Sequence, residues 1–271
     1  MIAAYITLGV LVLLFGIYLF AIFGRPKKGR MEHLKKWAYA HRGLHGNGLP
    51  ENSMAAFRAA LEGGYGIELD IHLLKDGNLA VIHDSKLIRT TGCDGRIEDL
   101  TTDDLSNYRL EGTEETIPTF RQVVELFAGK APLIVELKPI GTNHAALCEA
   151  ACKLLDQYDI QYCMESFDPR CVLWLKKHRP EIIRGQLAEN YYKSKNIRLQ
   201  WYFKFLLTNQ MLNFVTRPDF IAYRFADRKD TLSNYLCRAQ MECVTWTITS
   251  QEEFDTAVKE GWLPIFEGFR P

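Results

Sequence analysis

Four short stretches concentrate side chains able to do acid–base or metal chemistry. In GIELDIHLL, from Gly66 to Leu74, Glu68 and Asp70 stand two residues apart inside an apolar run. Side chains alternate along a strand, so Ile67, Leu69 and Ile71 are expected on one face and the two carboxylates on the other. Burying both without a counter-charge is strongly unfavourable, or forces one to keep its proton. IVELK places Glu136 and Lys138 on one strand face by the same spacing. YAHRG sets His41 and Arg42 where an apolar run meets a glycine, and VIHD sets His83 at the end of another.

Glu68, Asp70 and Glu136 make an all-oxygen set, which suits a hard divalent cation, Mg²⁺ or Ca²⁺. Such an ion would supply the missing positive charge. His41 and His83 are then a pair able to give and take protons. Arg42 and Lys138 add fixed positive charge for an anionic substrate. A divalent ion, two acid–base groups and cationic clamps together describe phosphoester cleavage. His45, His72 and His144 lack such surroundings and are read as structural.

These groups need elements that bring them to one place. From Trp37 onward, short apolar runs alternate with helix-like stretches. Expected strands are 37–41, 66–71, 79–83, 132–138, 161–166, 182–187, 219–223 and 244–248; expected helices are 52–62, 119–128, 144–158, 169–178, 229–241 and 251–260. Strands separated by helices pair in parallel, and eight of them over this length predict an irregular (β/α)₈ barrel, with a doubly wound open sheet as the alternative. The polar groups named above sit at expected strand ends, so a parallel barrel gathers them on one rim. Three features depart from a regular barrel. The turn KDGN (75–78) leaves little room for a helix between the second and third strands, so that unit is either an extended crossover or a hairpin. Residues 85–118 are long, polar and turn-rich, and are expected as an insertion. Residues 191–215 are longer than a barrel helix and rich in aromatics.

Ile2 to Phe23 carries no charge and is long enough to cross a bilayer as a helix. No basic residue precedes it, unlike a secretory signal, so an uncleaved anchor is expected. The flank that follows holds Arg25, Lys27, Lys28, Arg30, Lys35 and Lys36, which places the remainder on the cytoplasmic face as a single-pass membrane protein. The chain then divides into an anchor (1–24), a basic linker (25–36) and the barrel (37–271). Lys plus Arg and Asp plus Glu both number 33, a balance that argues against a general nucleic-acid binder. Seven scattered cysteines without a CxxC pair read as free thiols rather than a disulfide framework or a thiolate metal site. The aromatic run WYFKFLLTNQMLNFV (201–215) covers more than one helical face; it is either a barrel-covering helix or an element lying in the bilayer surface.

The run from Ala40 to Gly92 is similar to the glycerophosphodiester phosphodiesterase family. It carries His41-Arg42-Gly43, Pro50-Glu51-Asn52-Ser53, Ala56-Phe57, Glu68-Leu69-Asp70, Asp76-Gly77, His83-Asp84 and Arg89-Thr90-Thr91 in the family's order. GRIEDLTTDDL (95–105), IPTF (117–120) and VELK (135–138) continue the likeness, which loosens beyond Lys138. The resemblance implies a phospholipase-C-like barrel that hydrolyses glycerophosphodiesters to glycerol 3-phosphate and an alcohol. It also implies metal ligands at Glu68, Asp70 and Glu136, a catalytic pair at His41 and His83, and phosphate contacts from Arg42 and Lys138. The short link between the second and third strands occurs in the family too. Trp246-Thr247-Ile248-Thr249 and the closing run LPIFEGFRP (263–271) depart from the family pattern and are expected to leave the metal and histidine positions untouched. Two other activities fit the same residues: a lysophospholipase-D-type reaction on membrane lysolipids, or a silent barrel that binds phospholipid head groups. The silent form is expected to have lost a ligand or a histidine, and none is lost here.

Overall fold

In the computed structural model, residues 1–27, 29–194 and 199–271 are described; Lys28 of the basic flank and residues 195–198 of the aromatic stretch lie outside them. In chain order the elements are α1 (Ile2–Ile22), β1 (Tyr39–His41), α2 (Met54–Glu62), β2 (Gly66–Leu73), β3 (Leu79–Val81), α3 (Ile88–Thr91), α4 (Phe120–Phe127), β4 (Leu133–Leu137), α5 (His144–Leu155), β5 (Tyr162–Ser166), α6 (Pro169–His178), β6 (Arg184–Ala188), α7 (Trp201–Thr208), α8 (Asn213–Thr216), β7 (Phe220–Arg224), α9 (Leu232–Gln240), β8 (Glu242–Ile248), α10 (Gln251–Lys259) and β9 (Leu263–Phe266).

Parallel pairing runs β1-β9-β8-β7-β6-β5-β4-β2 and closes through β1 on β2, giving an irregular (β/α)₈ barrel and ruling out the open sheet. Two expectations change. The 79–83 segment is not a barrel stave: β3 pairs antiparallel with β2 as the outer arm of a hairpin. The link Leu74–Asn78 is far too short for a parallel crossover, so the chain doubles back. The eighth stave is β9, a strand of four residues that is not among the expected strands.

Strand alternation sorts the core into two layers. Ile67, Leu69 and Ile71 pack outward with Leu133, Val135 and Leu137 against Phe57 of α2 and Phe120, Val124 and Phe127 of α4. Inside the barrel, Ile134, Cys163, Phe220, Ala222 and Val244 fill the lower layers. Two residues further along the same strands, the inward positions become Glu136, Glu165, Arg224 and Trp246. The barrel is therefore apolar at its N-terminal end and polar at its C-terminal end, where sites collect in this architecture. Ser53 caps α2 by accepting from the Ala56 amide at 3.1 Å, and Thr119 and Gln122 form a capping box on α4.

Gly185 on β6 sits in register with Phe220 on β7, and a Cβ there would lie 2.2 Å from the ring. Gly185→Ala is expected to destabilise the fold by about 1–3 kcal/mol through overpacking. The check is the thermal unfolding midpoint, and adding Phe220→Leu should recover part of the loss.

Residues 25–36 differ most from the linker expected of them. Arg25 and Arg30 each lie 3.2 Å from Asp219, and Lys35 lies 3.3 Å from Glu242. The Arg25 amide donates to Pro218 O at 2.7 Å and the Lys27 amide to Gln240 O at 2.9 Å. Met31 and Leu34 are buried beneath Tyr39 and Leu263. Acidic residues at the starts of β7 and β8 match the basic flank in charge, so the segment closes the N-terminal end of the barrel. The insertion, residues 85–118, packs Leu87, Ile97, Leu105, Leu110 and Ile117 against Leu74, Ala80 and Ile82 of the β2–β3 hairpin in a separate small core. All seven cysteines are free, six of them buried. The helix α1 is long and apolar enough to cross a membrane.

Candidate active site

Register decides which polar groups meet. Asp70 on β2 pairs with Glu136 on β4, and Glu136 with Glu165 on β5, so three buried carboxylates share one rung. Glu68 lies one step below, in register with His41 on β1. Oxygens of Glu68, Asp70 and Glu136 all lie within 4.8 Å of one another. The expected seven residues do converge at this end, and Glu165 joins them. The same two-residue alternation could have found Glu165, because Cys163 and Glu165 repeat the pattern of Ile134 and Glu136.

The turn after β1 delivers one cation, Arg42, with several contacts. Arg42 adopts φ +55°, and its amide donates to Glu68 Oε2 at 3.2 Å. Its guanidinium binds Glu51 at 3.1 and 3.2 Å and lies 3.5 Å from Asp70 Oδ2. Gly43 is required next: its φ is +82°, and a Cβ would meet the Phe57 ring at 2.9 Å. Asn52 Nδ2 donates to Asp70 Oδ2 at 2.9 Å. Lys138 Nζ stands among the acids, 2.7 Å from Glu136 Oε1 and 3.1 Å from Asp70 Oδ1. Glu51 also receives Arg89 Nη2 at 2.6 Å, which ties the insertion to the rim.

Electrostatics separates these acids. Burial and the Asp70 and Glu136 charges push Glu68 well above the usual carboxylate range. Burial also lifts Glu136, to about 7, with Asp70 adding to the rise and Lys138 opposing it. Asp70 goes the other way: burial disfavours its charge, but Lys138, His83, Arg42 and the Asn52 amide hold it well below. Burial raises Glu165 well above its ordinary value, with the Glu136 charge adding. Four carboxylates thus face two cations, Arg42 and Lys138. Glu165 Oε2 is buried without a hydrogen-bond partner, and so is Asp70 Oδ1, apart from the Lys138 ammonium. Fully ionised, the four carboxylates would exceed the two cations by two negative charges; a divalent hard cation would offset that excess and suits oxygen-only donors, so the residues present fit one.

Both histidines hold Nδ1 against a carboxylate. His83 Nδ1 lies 2.7 Å from Asp84, and His41 Nδ1 lies 2.5 Å from Glu267. Nε2 of His41 is 3.9 Å from Glu68. Burial, with Lys138 and Arg42 nearby, lowers His83 to about 4 against the pull of Asp70. Burial lowers His41 as well, opposed by Glu267. The Glu267 contact corrects the expectation that the closing run stays clear of the histidines: β9 ends at Phe266, beside β1, and hands Glu267 to His41. His45 also belongs here, with Nε2 3.7 Å from Glu267. His72 is structural as expected, bonding Glu98 at 2.8 Å and the His83 carbonyl at 3.2 Å.

A cleft of about 290 Å³ opens beside Glu136, lined also by His83, Lys138, Ile140 and Phe167. A larger groove of about 570 Å³ lies outside the barrel, between the β2–β3 hairpin and α5, and contains none of these groups.

A family model described as the glycerophosphoryl diester phosphodiesterase family matches residues 41–267, from the first site histidine to the carboxylate that binds it. The chain belongs to that family. A glycerophosphodiester phosphodiesterase of Caldanaerobacter subterraneus subsp. tengcongensis is 34% identical over 166 residues, covering 58% of this chain and 68% of that relative. One from Bacillus altitudinis is 43% identical over 107 residues, covering 37% of this chain and 43% of that protein, less than half of either. An Oleispira antarctica phosphodiesterase, whose structure holds the product sn-glycerol-3-phosphate, shares the fold with a TM-score of 0.70 at 24% identity, over 85% of this chain and 92% of that one. Glu51 and Asn52, conspicuous in the PENS stretch, have contacts that only the coordinates assign: one clamps Arg42, the other orients Asp70.

Proposed function

We propose that this chain is a membrane-anchored, divalent-ion-dependent phosphodiesterase that hydrolyses glycerophosphodiesters to glycerol 3-phosphate and an alcohol. The observation that carries the reading is the convergence of Glu68, Asp70 and Glu136 within 4.8 Å in a chain of this family, with two imidazoles beside them. Glu68, Asp70 and Glu136 would hold the ion, Mg²⁺ or Ca²⁺. When bound, such an ion neutralises the crowded acids and polarises a phosphoryl oxygen.

The chain's own groups supply the remainder. Nδ1 of each histidine is held by its carboxylate, which leaves Nε2 for the substrate. One ring takes the proton from the attacking oxygen, and the other returns one to the leaving oxygen. Arg42, fixed by Glu51, and Lys138 orient the phosphate and offset its charge. Glu267 positions His41. Glu267→Gln is expected to lower kcat roughly 10- to 100-fold with KM little changed, as for other groups that orient an imidazole. Steady-state kinetics across pH check this, since a merely structural role predicts loss of folded protein instead.

The anchor reading rests on the charge-free α1 and the basic flank after it, which favours the cytoplasmic side for the barrel. The test of function is a head-group panel on the purified full chain in detergent, with glycerophosphocholine and glycerophosphoethanolamine. Glycerol 3-phosphate should be released, stop with chelator and resume with Mg²⁺ or Ca²⁺. Release that continues in chelator would overturn the ion's part in the reading.

A further inference from the structure

The direction in which α1 joins the barrel has a consequence for the active site. Three contacts set it. Tyr18 sits by Ser233 in the first turn of α9, the Ile22 carbonyl lies 3.4 Å from Cys237 Sγ, and the Gly24 amide lies 3.0 Å from Met241 Sδ. Each pair moves down both segments together, so α1 runs alongside α9 in the same sense. Helix α9 starts at the C-terminal end of β7, the site end, and finishes where β8 begins. Traced backward from Tyr18, Ile2 to Ile17 therefore leave the barrel at the end that carries the active site.

Those residues are exposed along their whole length and span roughly 24 Å at 1.5 Å per residue. A bilayer core is about 30 Å thick. The full helix matches that thickness, but its last turn is already packed on α8 and α9: Asn213 Nδ2 donates to Ile22 O at 2.7 Å, and Arg217 Nη1 donates to Phe23 O at 2.6 Å. For α1 to span, the site end of the barrel must meet the membrane surface. Its composition suits that. Helix α7 lies on the same end, held where Tyr223 donates to Thr208 O at 3.0 Å and the Tyr191 amide donates to Thr208 Oγ1 at 3.1 Å. Trp201 is 72% exposed, and Tyr202, Phe203 and Phe205 are also exposed, with Lys204 the one charge in the helix. Ile140, on the cleft itself, is exposed as well.

We propose that the active-site end of the barrel faces the bilayer, with α7 seated in the lipid interface, so that the cleft takes its phosphodiester from an acylated, membrane-resident substrate. This rests on the anchor and phosphodiesterase readings above. Aromatic helices of this kind bury their apolar face about 5–10 Å into the head-group region, which covers the shortfall in α1.

The experiment uses the full chain reconstituted in phosphatidylcholine vesicles, with and without brominated acyl chains. Bromine should quench part of the tryptophan emission, and Trp201→Phe should abolish that part, because Trp201 is the one tryptophan that stands exposed while the other four are buried or half-buried. A chain that floats with vesicles but shows the same quenching in wild type and W201F overturns the orientation and leaves the anchor intact. A chain that does not float overturns both. In a second arm, Phe203→Asp with Phe205→Asp should lower hydrolysis of a vesicle-borne lysophospholipid roughly tenfold or more, since two buried aromatic contacts are lost. Hydrolysis of soluble glycerophosphocholine should stay within about twofold. Equal rates on vesicles before and after substitution would overturn the proposal. Inactivity of the wild type on both substrates refutes the phosphodiesterase reading, while the quenching result still decides the orientation.

Discussion

Alanine in place of Glu68, Asp70 or Glu136 is expected to remove divalent-ion binding and phosphodiester hydrolysis together, by roughly 10³-fold or more in kcat/KM, since charge stabilisation by a bound ion would be worth several kcal/mol. Isothermal titration with Mg²⁺ or Ca²⁺ and the release of glycerol 3-phosphate read the two effects separately. Stability distinguishes the acids in ion-free protein. Glu68 has a folded pKa raised by burial and by the charges of Asp70 and Glu136. An acid whose pKa rises on folding loses stability as pH climbs above its unfolded value, about 4.3. Glu68→Gln should therefore raise the unfolding midpoint at pH 7 in chelator, and addition of the ion should no longer raise it further. Asp70 is the opposite case. Its folded pKa is depressed, so its contribution is present above the unfolded value and is lost as pH falls toward the folded one. Asp70→Ala takes one carboxylate from Lys138, which keeps Glu136, and one from Arg42, which keeps Glu51, and should cost about 1.5–3 kcal/mol, the range for lost hydrogen bonds to charged groups. A lower midpoint for both variants in chelator would show that the acids do not repel one another as argued.

His41→Ala and His83→Ala form the second large effect. Each should lower kcat by about 10²–10⁴-fold, the range for a general acid or base, while ion affinity stays near wild type. The pH profile carries the finer signature. Burial and two neighbouring cations depress His83 to about 4 from the ordinary 6.5, so its ring is unprotonated at neutral pH. Protonation removes its lone pair only as pH falls toward 4. The acid limb of kcat/KM assigned to His83 should thus lie well below that of a free imidazole, toward pH 4, and His83→Ala should erase it. A limb near 6.5 that survives the substitution would remove His83 from the proton path.

Much of the site is legible in the sequence because a strand alternates with period two and a parallel barrel collects strand ends. Glu68 with Asp70, and Glu136 with Lys138, needed only that periodicity to be placed on inward faces. The histidines needed only a glycine or a loop after an apolar run. Lys138 shows where local reading stops: expected at the phosphate, it also stands between Asp70 and Glu136, and no spacing rule fixes the reach of a lysine. Glu51 and Asn52 lie in an irregular turn, where side-chain direction follows from positive-φ residues such as Arg42 and Asn52 rather than from any period.

The sequence alone determined the composition of this centre: which carboxylates, which imidazoles, one apolar helix ahead of an alternating α/β chain, and membership of a recognisable pattern. Tertiary structure alone decided the partners. It closed the barrel with β9 rather than the 79–83 segment, brought Glu267 to His41 from 226 residues away, packed the basic flank under the barrel, and aimed α1 past the active-site end. The division has a physical cause. Periodicity and charge are local properties carried by neighbouring residues, whereas register, closure and the direction of packing depend on contacts between segments far apart in the chain, which no local pattern encodes.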